Sequence, residues 1–330
     1  MRPFTYTRPT DARAAVAIAV REPDAKFLAG GTNLLDLMKT GVEHPAHVVD
    51  VSRLPLAGIV EREGGVRIGA MARNSDGANH PLIRERYPVL SQALVAGASP
   101  QLRNMATMGG NLMQRTRCYY FYDPTYAECN KRNPGSGCAA RTGEQRLHAI
   151  LGASDACIAT HPGDMAVALA VLDAGIRVTG PQGERTIPIA DFHRLPGTTP
   201  HIETDLRRGE LITAIDLPRM PFARTSQYLK VRDRSSYAFA LVSVATVLDL
   251  DQRGLIKQAR IALGGVAHKP WRVPDAERLL VGQSADEAAY RRVADAILNG
   301  ARPYPGNAFK VELARRSIVR ALATTAELTS

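Results

Sequence analysis

The 330-residue chain is poor in cysteine and in aromatic residues, with four cysteines, one tryptophan and a total aromatic content of 5%. No apolar run approaches the roughly 18 residues that a membrane-spanning helix needs. The first residues, MRPFTYTRPTDARAAV, contain no apolar signal-peptide core. We therefore expect no membrane span and no export signal of the chain's own. Hydrophobic residues make up 45% of the sequence, which is enough for the cores of about two domains.

Acidic residues are also in deficit, because 32 Asp and Glu face 42 Lys and Arg and leave a net charge of +10. This balance favours an anionic partner, such as a phosphate-bearing cofactor or an acidic subunit, but it also fits an ordinary basic surface. The arginines are spread along the chain, and neither zinc-finger spacing nor a helix-turn-helix pattern is present. The sequence therefore predicts no nucleic-acid binding.

The apolar patterns change character near residue 225. Strand and helix patterns alternate through residues 1–60, beginning with a helix over DARAAVAIAV that Thr10 is expected to cap. Further predictions are a helix over 80–97, an apolar helix over 164–174 and a hairpin over 175–189. Beyond a linker at 218–224, two or three strands with a turn at 252–254 precede helices near 285–299 and 307–327.

Two glycine-containing loops carry the first chemical signal. KFLAGGTNLLDLMK (26–39) runs from a strand through two glycines into a helical pattern, and QLRNMATMGGNL (101–112) again places two glycines beside Asn111. Glycines let backbone N–H groups approach an anion closely. Neither loop is a GxGxxG fingerprint or a P-loop, and either alone is typical of an ordinary turn. Together they are predicted to converge on the two phosphates of one pyrophosphate.

Three of the four cysteines lie within RCYYFYDPTYAECNKRNPGSGC (117–138), and the fourth is Cys157. The spacing admits disulfides, a zinc site, inert thiols or an iron–sulfur cluster. Paired C-x2-4-C zinc knuckles are absent. The surrounding basic residues offset thiolate charge, and the Pro-Gly-Ser-Gly stretch predicts a bent backbone with N–H groups near sulfur. From the residues alone, all four alternatives remain open.

Four stretches of the sequence occur in the order typical of one family. AGGTNLLDLMK, LRNMATMGGNL, YLKVRDRSSYAFALVSVA (228–245) and ARIALGGVAHKPWR (259–272) together resemble the FAD-binding subunit of molybdenum hydroxylases related to xanthine dehydrogenase. The resemblance covers nearly the whole chain. It implies an α+β fold with a two-subdomain FAD-binding domain of the vanillyl-alcohol-oxidase (PCMH) type at 1–220, with subdomains of about 1–55 and 56–220. The second subdomain carries the cysteine-rich loop, and a smaller α+β C-terminal domain is expected at 225–330.

The resemblance also implies cofactor contacts, position by position. Asp164 would be a polar contact to the cofactor, with a helix N-cap as the alternative, and Lys230 would reach the flavin, with a surface cation as the alternative. Thr107, Gly110 and Asn111 would hold the pyrophosphate from one side. The residues that would wrap it from the other side are Lys26, Phe27, Leu28, Ala29, Gly30, Gly31, Thr32, Asn33 and Leu34.

The cysteine-rich segment RTRCYYFYDPTYAECNKRNPGSGCAA resembles a subset of this family that includes periplasmic aldehyde oxidoreductases. Members of that subset carry an additional [4Fe–4S] cluster in the flavin subunit. The resemblance therefore implies that Cys118, Cys129, Cys138 and Cys157 ligate one such cluster through thiolates.

The family role implied is electron transfer within a heterotrimer. A large molybdenum subunit would oxidise the substrate, and a small subunit with two [2Fe–2S] clusters would pass electrons to FAD and then to an external acceptor. The chain shows no convincing acid–base pair, and His161, His193, His201 and His268 are expected to be structural or solvated. The competing hypotheses are a stand-alone FAD oxidoreductase and a zinc- or disulfide-stabilised binding protein. We expect a periplasmic location, with export alongside a partner, and the cytoplasm is the alternative.

Overall fold

The computed structural model describes residues 1–328, so the last two residues of the predicted C-terminal domain lie outside the described part. Residues near the N-terminus form a three-stranded parallel sheet in the order β1-β3-β2. Two helices follow β1 and β2 as crossover connections. The bounds are β1 Thr5–Thr7, α1 Ala12–Arg21, β2 Ala25–Leu28, α2 Leu34–Lys39 and β3 His47–Asp50.

The N-terminal cap of α1 differs from the prediction. Asp11, and not Thr10, is the capping residue, because its carboxylate accepts the Ala14 N–H at 2.9 Å. A cap must immediately precede the first helical residue, which here is Ala12, for its side chain to reach this N–H group. Thr10 lies one residue too early.

The second part of the chain is built on a five-stranded antiparallel sheet in the order β4-β5-β8-β6-β7. The predicted hairpin over 175–189 is confirmed as β6 and β7. The strands are β4 Ile59–Arg62, β5 Gly65–Gly69, β6 Gly175–Gly180, β7 Gly183–Pro188 and β8 Leu211–Leu217. The helices are α3 Asn74–Asn79, α4 Pro81–Arg86, α5 Pro88–Ala96, α6 Pro100–Arg103, α7 Met108–Leu112, α8 Tyr119–Tyr122, α9 Asp164–Val171 and α10 Ile189–Phe192, with a 3₁₀ turn at Ala139–Arg141.

The predicted single helix over 80–97 is in fact two helices, α4 and α5. Pro88 has no N–H to continue the hydrogen-bond ladder, and its ring disfavours helical geometry in the preceding residue. Tyr87 accordingly leaves the helical region, with φ −138° and ψ 56°. Its buried side chain turns inward, where the hydroxyl donates to the Pro218 carbonyl at 2.8 Å.

The C-terminal part pairs a four-stranded antiparallel sheet, in the order β12-β11-β10-β9, with two long helices. The predicted turn at 252–254 is confirmed, with Gly254 at φ +77° between β10 and β11. The elements are β9 Ser226–Val231, β10 Val242–Leu250, β11 Ile256–Gly264, β12 Trp271–Arg272, α11 Pro274–Glu277, α12 Glu287–Leu298 and α13 Phe309–Glu327. Three further 3₁₀ turns are Pro221–Arg224, Arg278–Leu280 and Pro305–Asn307.

Helix α9 joins the two halves of the molecule. All its residues are buried, and it packs against α5 on one side and against β10 and β11 on the other. A helix that is apolar on every face after its first residue needs protein all around it, which explains its sequence DMAVALAV. Among residues 1–328, no helix combines the length and the apolarity needed to cross a lipid bilayer.

Candidate cofactor site

The two glycine loops predicted from the sequence are in contact. A Cβ atom on Gly30 would lie 2.0 Å from the carbonyl oxygen of Met105, so only glycine permits this approach. The second loop also reaches back to the first, because a Cβ on Gly110 would lie 3.9 Å from that of Ala29. Gly31 has φ +74°, a left-handed conformation that L-residues with side chains rarely adopt. The structure therefore brings together two segments that are distant in sequence.

The first loop has unused hydrogen-bond donors. Within residues 1–328, the backbone N–H groups of residues 30–34 have no intramolecular acceptor. The N–H groups of the second loop are mostly engaged, since Thr107 caps α7 by accepting from the Gly110 N–H at 3.1 Å. Consecutive unpaired N–H groups beside glycine form an anion-binding arrangement. The first loop offers these donors, and the second loop packs against it.

Both loops line a cavity of about 680 Å³, within the size range of cofactor sites. Leu28 and Asn111 do not line it: Leu28 belongs to β2, and the Asn111 side chain accepts from Gln114 Nε2 at 2.9 Å. The predicted residues that line the cavity are Lys26, Phe27, Ala29, Gly30, Gly31, Thr32, Asn33, Leu34, Thr107 and Gly110.

A chain of ion pairs crosses the cavity wall. Arg115 pairs with Glu43 and, at 3.0 Å, with Glu203, which also accepts from Lys131 Nζ at 2.8 Å. Burial alone would raise the pKa of Glu203, but Lys131 and Arg115 outweigh it and lower the pKa to about 2. Lys131 has only 4% of its side chain exposed. The wall is therefore charged, internally paired and fixed in position.

Three histidines also line the cavity: His193 and His268, which are buried, and His161, which is partly buried. The rings of His161 and His193 have centroids 4.2 Å apart, and His193 Nε2 donates to the Leu112 carbonyl at 2.9 Å. Burial lowers the pKa of His193 to about 4 and holds the pKa values of His161 and His268 well below the usual range. The rings are therefore neutral at pH 7. The sequence carried no signal for this grouping, because the residues are far apart in the chain.

Asp164 and Lys230 form a buried ion pair with an N–O distance of 2.8 Å. The Tyr228 hydroxyl donates to the same carboxylate at 2.6 Å. Asp164 is the first residue of α9 and Gly163 is its N-cap, so the alternative of an N-cap is wrong for Asp164. The alternative of a surface cation is wrong for Lys230, whose side chain is 4% exposed.

The ion pair lies beside the cavity. Asp164 lines a small neighbouring cavity of about 20 Å³, which shares Thr116, Thr160 and His161 with the large one. Lys230 lines neither of the two. The contact of Asp164 and Lys230 with a cofactor therefore stays a prediction.

The cysteine-rich segment brings all four thiols together. Cys129 and Cys138 are paired by a backbone bridge, and Asn130 ties this turn to the segment containing Cys157 by donating from Nδ2 to the Ala156 carbonyl at 2.9 Å. The Asn130 carboxamide oxygen also accepts from the N–H groups of Gly135 and Gly137, each at 3.0 Å. Asn130 is thus an organising residue that sequence reasoning missed. None of the four cysteines forms a disulfide in the structure.

Burial and close contact shift the pKa values of the thiols in opposite directions. Burial raises the pKa of Cys118 to about 12, although the N–H groups of Phe121 and Tyr120 lower it in part. The Cys157 thiol donates to the Cys138 sulfur, which lowers the pKa of Cys138 to about 6 and raises the pKa of Cys157. Four ionised thiolates in this space would repel one another unless a cation neutralised them.

The positions of the four thiols bear on which metal group they could hold. Within residues 1–328, no three His, Cys, Asp or Glu side chains converge on one point in a way that would hold a single metal ion. A four-cysteine zinc site would hold its sulfurs about 2.3 Å from one ion. An iron–sulfur cluster is larger and holds its cysteine sulfurs farther apart. Backbone N–H groups directed at sulfur, as at Cys118 and Cys138, suit such a cluster.

Comparison with known proteins decides the family. Residues 2–220 match the family described as FAD binding domain in molybdopterin dehydrogenase, and residues 227–325 match the CO dehydrogenase flavoprotein C-terminal domain. The chain belongs to the FAD-binding subunits of the molybdenum hydroxylases. This is an oxidoreductase family, as the sequence predicted.

The relatives of this FAD-binding subunit span its whole length. It is 54% identical over 325 residues to the aldehyde oxidoreductase FAD-binding subunit PaoB of Escherichia coli K12, covering 98% of both chains. It is 26% identical to the glyceraldehyde dehydrogenase medium chain of Sulfolobus acidocaldarius, covering 97% of this chain and 95% of the relative.

Solved structures confirm the expected fold of the FAD-binding subunit. A chain of a Cu,Mo-CO dehydrogenase in its cyanide-inactivated form superposes with a TM-score of 0.77 at 26% identity, covering 99% of both chains. A chain of the carbon monoxide dehydrogenase of Hydrogenophaga pseudoflava gives 0.76 at 29% identity, again covering 99% of both.

Proposed function

We propose that this chain is the FAD- and iron–sulfur-containing electron-transfer subunit of a heterotrimeric, molybdenum-dependent aldehyde oxidoreductase. The observation that carries the proposal is the contact between the two glycine loops, on a cavity of about 680 Å³, in a chain 54% identical to an aldehyde oxidoreductase FAD-binding subunit. In this role the chain accepts electrons from [2Fe–2S] clusters of a partner and delivers them to an external acceptor.

The residues present fit FAD. The unpaired N–H groups of residues 30–34 would bind the pyrophosphate, and Gly110 would leave room on the opposite side. The histidines and the Glu203 network would form a preorganised polar wall, because their positions are fixed by burial and ion pairing. FAD, when bound, supplies the ability to accept and donate one or two electrons. The chain's own task is to hold it rigidly and exclude water.

The four cysteines fit a [4Fe–4S] cluster. They are unoxidised thiols, and Cys157 donates to the Cys138 sulfur; Cys129 and Cys157 are buried, and backbone N–H groups are directed at the sulfurs of Cys118 and Cys138. Ligation as thiolates to iron would relieve the repulsion that their ionisation creates. We assign Cys118, Cys129, Cys138 and Cys157 as the four ligands.

The names of relatives, several of which are medium chains or medium subunits, support partner subunits. The proposed complex contains one large molybdenum-cofactor subunit and one small [2Fe–2S] subunit. We further propose a periplasmic location, with export of the folded complex on a signal carried by the small subunit.

Purification of the native complex under anaerobic conditions tests these proposals together. Three subunits, one FAD and four iron atoms beyond those of the partner clusters are expected, with aldehyde oxidation by the complex only. Aldehyde oxidation by the isolated chain would favour the stand-alone enzyme instead. Zinc in place of iron, or two disulfides in the non-reduced chain, would disprove the cluster. Recovery of the assembled complex wholly from the cytosol would disprove the location.

A further inference from the structure

His148 contacts one of the proposed cluster ligands directly. Its Nε2 atom lies 3.1 Å from the sulfur of Cys118, which is 30 residues earlier in the sequence. The residue is 1% exposed, so water does not compete for this contact. No motif of the sequence indicated the pairing.

Two residues of the C-terminal domain hold the backbone of His148. The carbonyl oxygen of His148 accepts from Lys310 Nζ at 2.8 Å and from Asn307 Nδ2 at 3.1 Å. Lys310 and Asn307 are fully buried, and Lys310 also donates to the Gly265 carbonyl at 2.5 Å. Burying a lysine in this way is costly unless its donors are satisfied. The arrangement therefore fixes the backbone of His148, and with it the distance from the imidazole to Cys118.

The chemistry of the pair sets the direction of the hydrogen bond. A cysteine that ligates iron is a thiolate without a proton, so the nitrogen must donate and the sulfur must accept. A hydrogen bond to a ligating sulfur stabilises the more negative, reduced state of a cluster and raises its reduction potential. We propose that His148 is a positioning residue that donates Nε2–H to Cys118 and raises the potential of the cluster, an inference that rests on the proposed [4Fe–4S] site.

The test is a potentiometric titration of the assembled complex, monitored by EPR spectroscopy. The signal of the proposed cluster is the one that is present in the wild-type complex and missing from a Cys118→Ser variant. His148→Phe keeps the ring volume but removes the donor, and its midpoint potential is expected to become more negative. A tenfold change in the ratio of reduced to oxidised cluster corresponds to about 59 mV for one electron. His148→Gln retains an N–H donor and should restore the potential. Tyr126→Phe, which removes only the hydroxyl of an exposed residue in the same segment, is the matched control and should leave the potential unchanged.

The outcomes separate this inference from the proposed function. Absence of the additional iron in the wild-type complex would disprove the proposed cluster itself. Full iron with an unchanged potential in His148→Phe overturns the role of His148 alone, as does a shift that His148→Gln fails to reverse. If His148→Phe does not assemble, pulsed EPR of wild-type complex labelled with ¹⁵N-histidine decides. A weak ¹⁵N coupling to the reduced cluster supports the contact, and its absence overturns it.

Discussion

The side-chain amide of Asn33 donates from Nδ2 to the hydroxyl of Tyr122, 3.2 Å away. The other end of the same amide accepts from the Arg115 N–H at 3.0 Å. Asn33 belongs to the first glycine loop, whereas Tyr122 lies within the cysteine-rich segment. One residue therefore joins the proposed flavin site to the proposed cluster site.

Replacing Asn33 with Ala should weaken flavin binding. Two hydrogen bonds are lost, each contributing about 0.5–1.5 kcal/mol, and the loop loses its link to the cysteine-rich segment. We expect an FAD dissociation constant roughly tenfold higher, measured by flavin fluorescence on the complex. Tyr122→Phe removes only one of the two Asn33 bonds, together with the bond from Arg117 to the same hydroxyl, and should weaken flavin binding less. Equal affinity in Asn33→Ala and wild type would contradict the link.

Bulky residues in the glycine loops should prevent cofactor binding. Gly31→Val forces a β-branched residue into a φ of +74°, and Gly110→Leu places a Cβ 2.9 Å from Thr107 Oγ1. The left-handed backbone at position 31 costs about 1–3 kcal/mol with a side chain, and both side chains obstruct the approach of phosphate. Purified complexes should contain little FAD by absorbance at the flavin band. Gly58→Ala is the control, because its Cβ meets no atom within 4 Å. Full flavin occupancy in either bulky variant would show that the loop is wrongly assigned.

The Asp164–Lys230 pair should be important for stability. Lys230→Met leaves a buried carboxylate without its cation, and such losses typically cost about 3–5 kcal/mol. The measurement is the free energy of unfolding in denaturant. The exposed Arg146–Asp233 pair provides the matched control, since Asp233→Asn should cost at most about 1 kcal/mol. Similar losses for the two variants would mean that burial of the Asp164–Lys230 pair adds nothing.

Glu203 should make stability depend on acid pH. Its pKa of about 2 in the folded chain lies below the ordinary value of 4.5, so the folded state favours the ionised form. The resulting stabilisation, on the order of 3 kcal/mol, is complete above about pH 4.5 and is lost as the pH falls toward 2. Glu203→Gln should therefore be less stable than wild type at pH 7, and the difference should shrink below pH 4.5. A difference that is constant from pH 7 to 3 would refute the assignment.

Replacing any of the four cysteines with Ser should remove the proposed cluster. An oxygen ligand is harder than a thiolate and binds this soft site poorly, so four iron atoms per chain should be lost. Flavin content should remain, because the N–H groups of residues 30–34 that would bind the pyrophosphate do not belong to the cysteine-rich segment. Iron analysis and the spectrum of the reduced complex are the measurements. Thr125→Ala, an exposed change in the same segment, should retain full iron. Unchanged iron in a Ser variant would exclude that cysteine as a ligand.

Local patterns alone predicted much of the architecture. The hairpin at 175–189 and the turn at Gly254 follow from strand patterns and turn chemistry, which act over a few residues. Helix α9 follows from a continuous apolar run, although it ends at Val171 and not at the predicted residue 174. The break before Pro88 was also readable in principle, because proline's missing N–H is a local property. The glycine loops were recognisable for the same reason, because the requirement for glycine is a local property of each position.

The sequence by itself determined which residues carry the chemistry: the glycines, the polar residues beside them and the cysteines. Only the tertiary structure decided which of them meet. It placed Gly30 against Met105, grouped His161, His193 and His268 on one wall, buried Lys230 beside Asp164 and set His148 against Cys118. These contacts join segments far apart in the chain. They depend on how sheets and helices pack against one another, and no local sequence pattern predicts that packing.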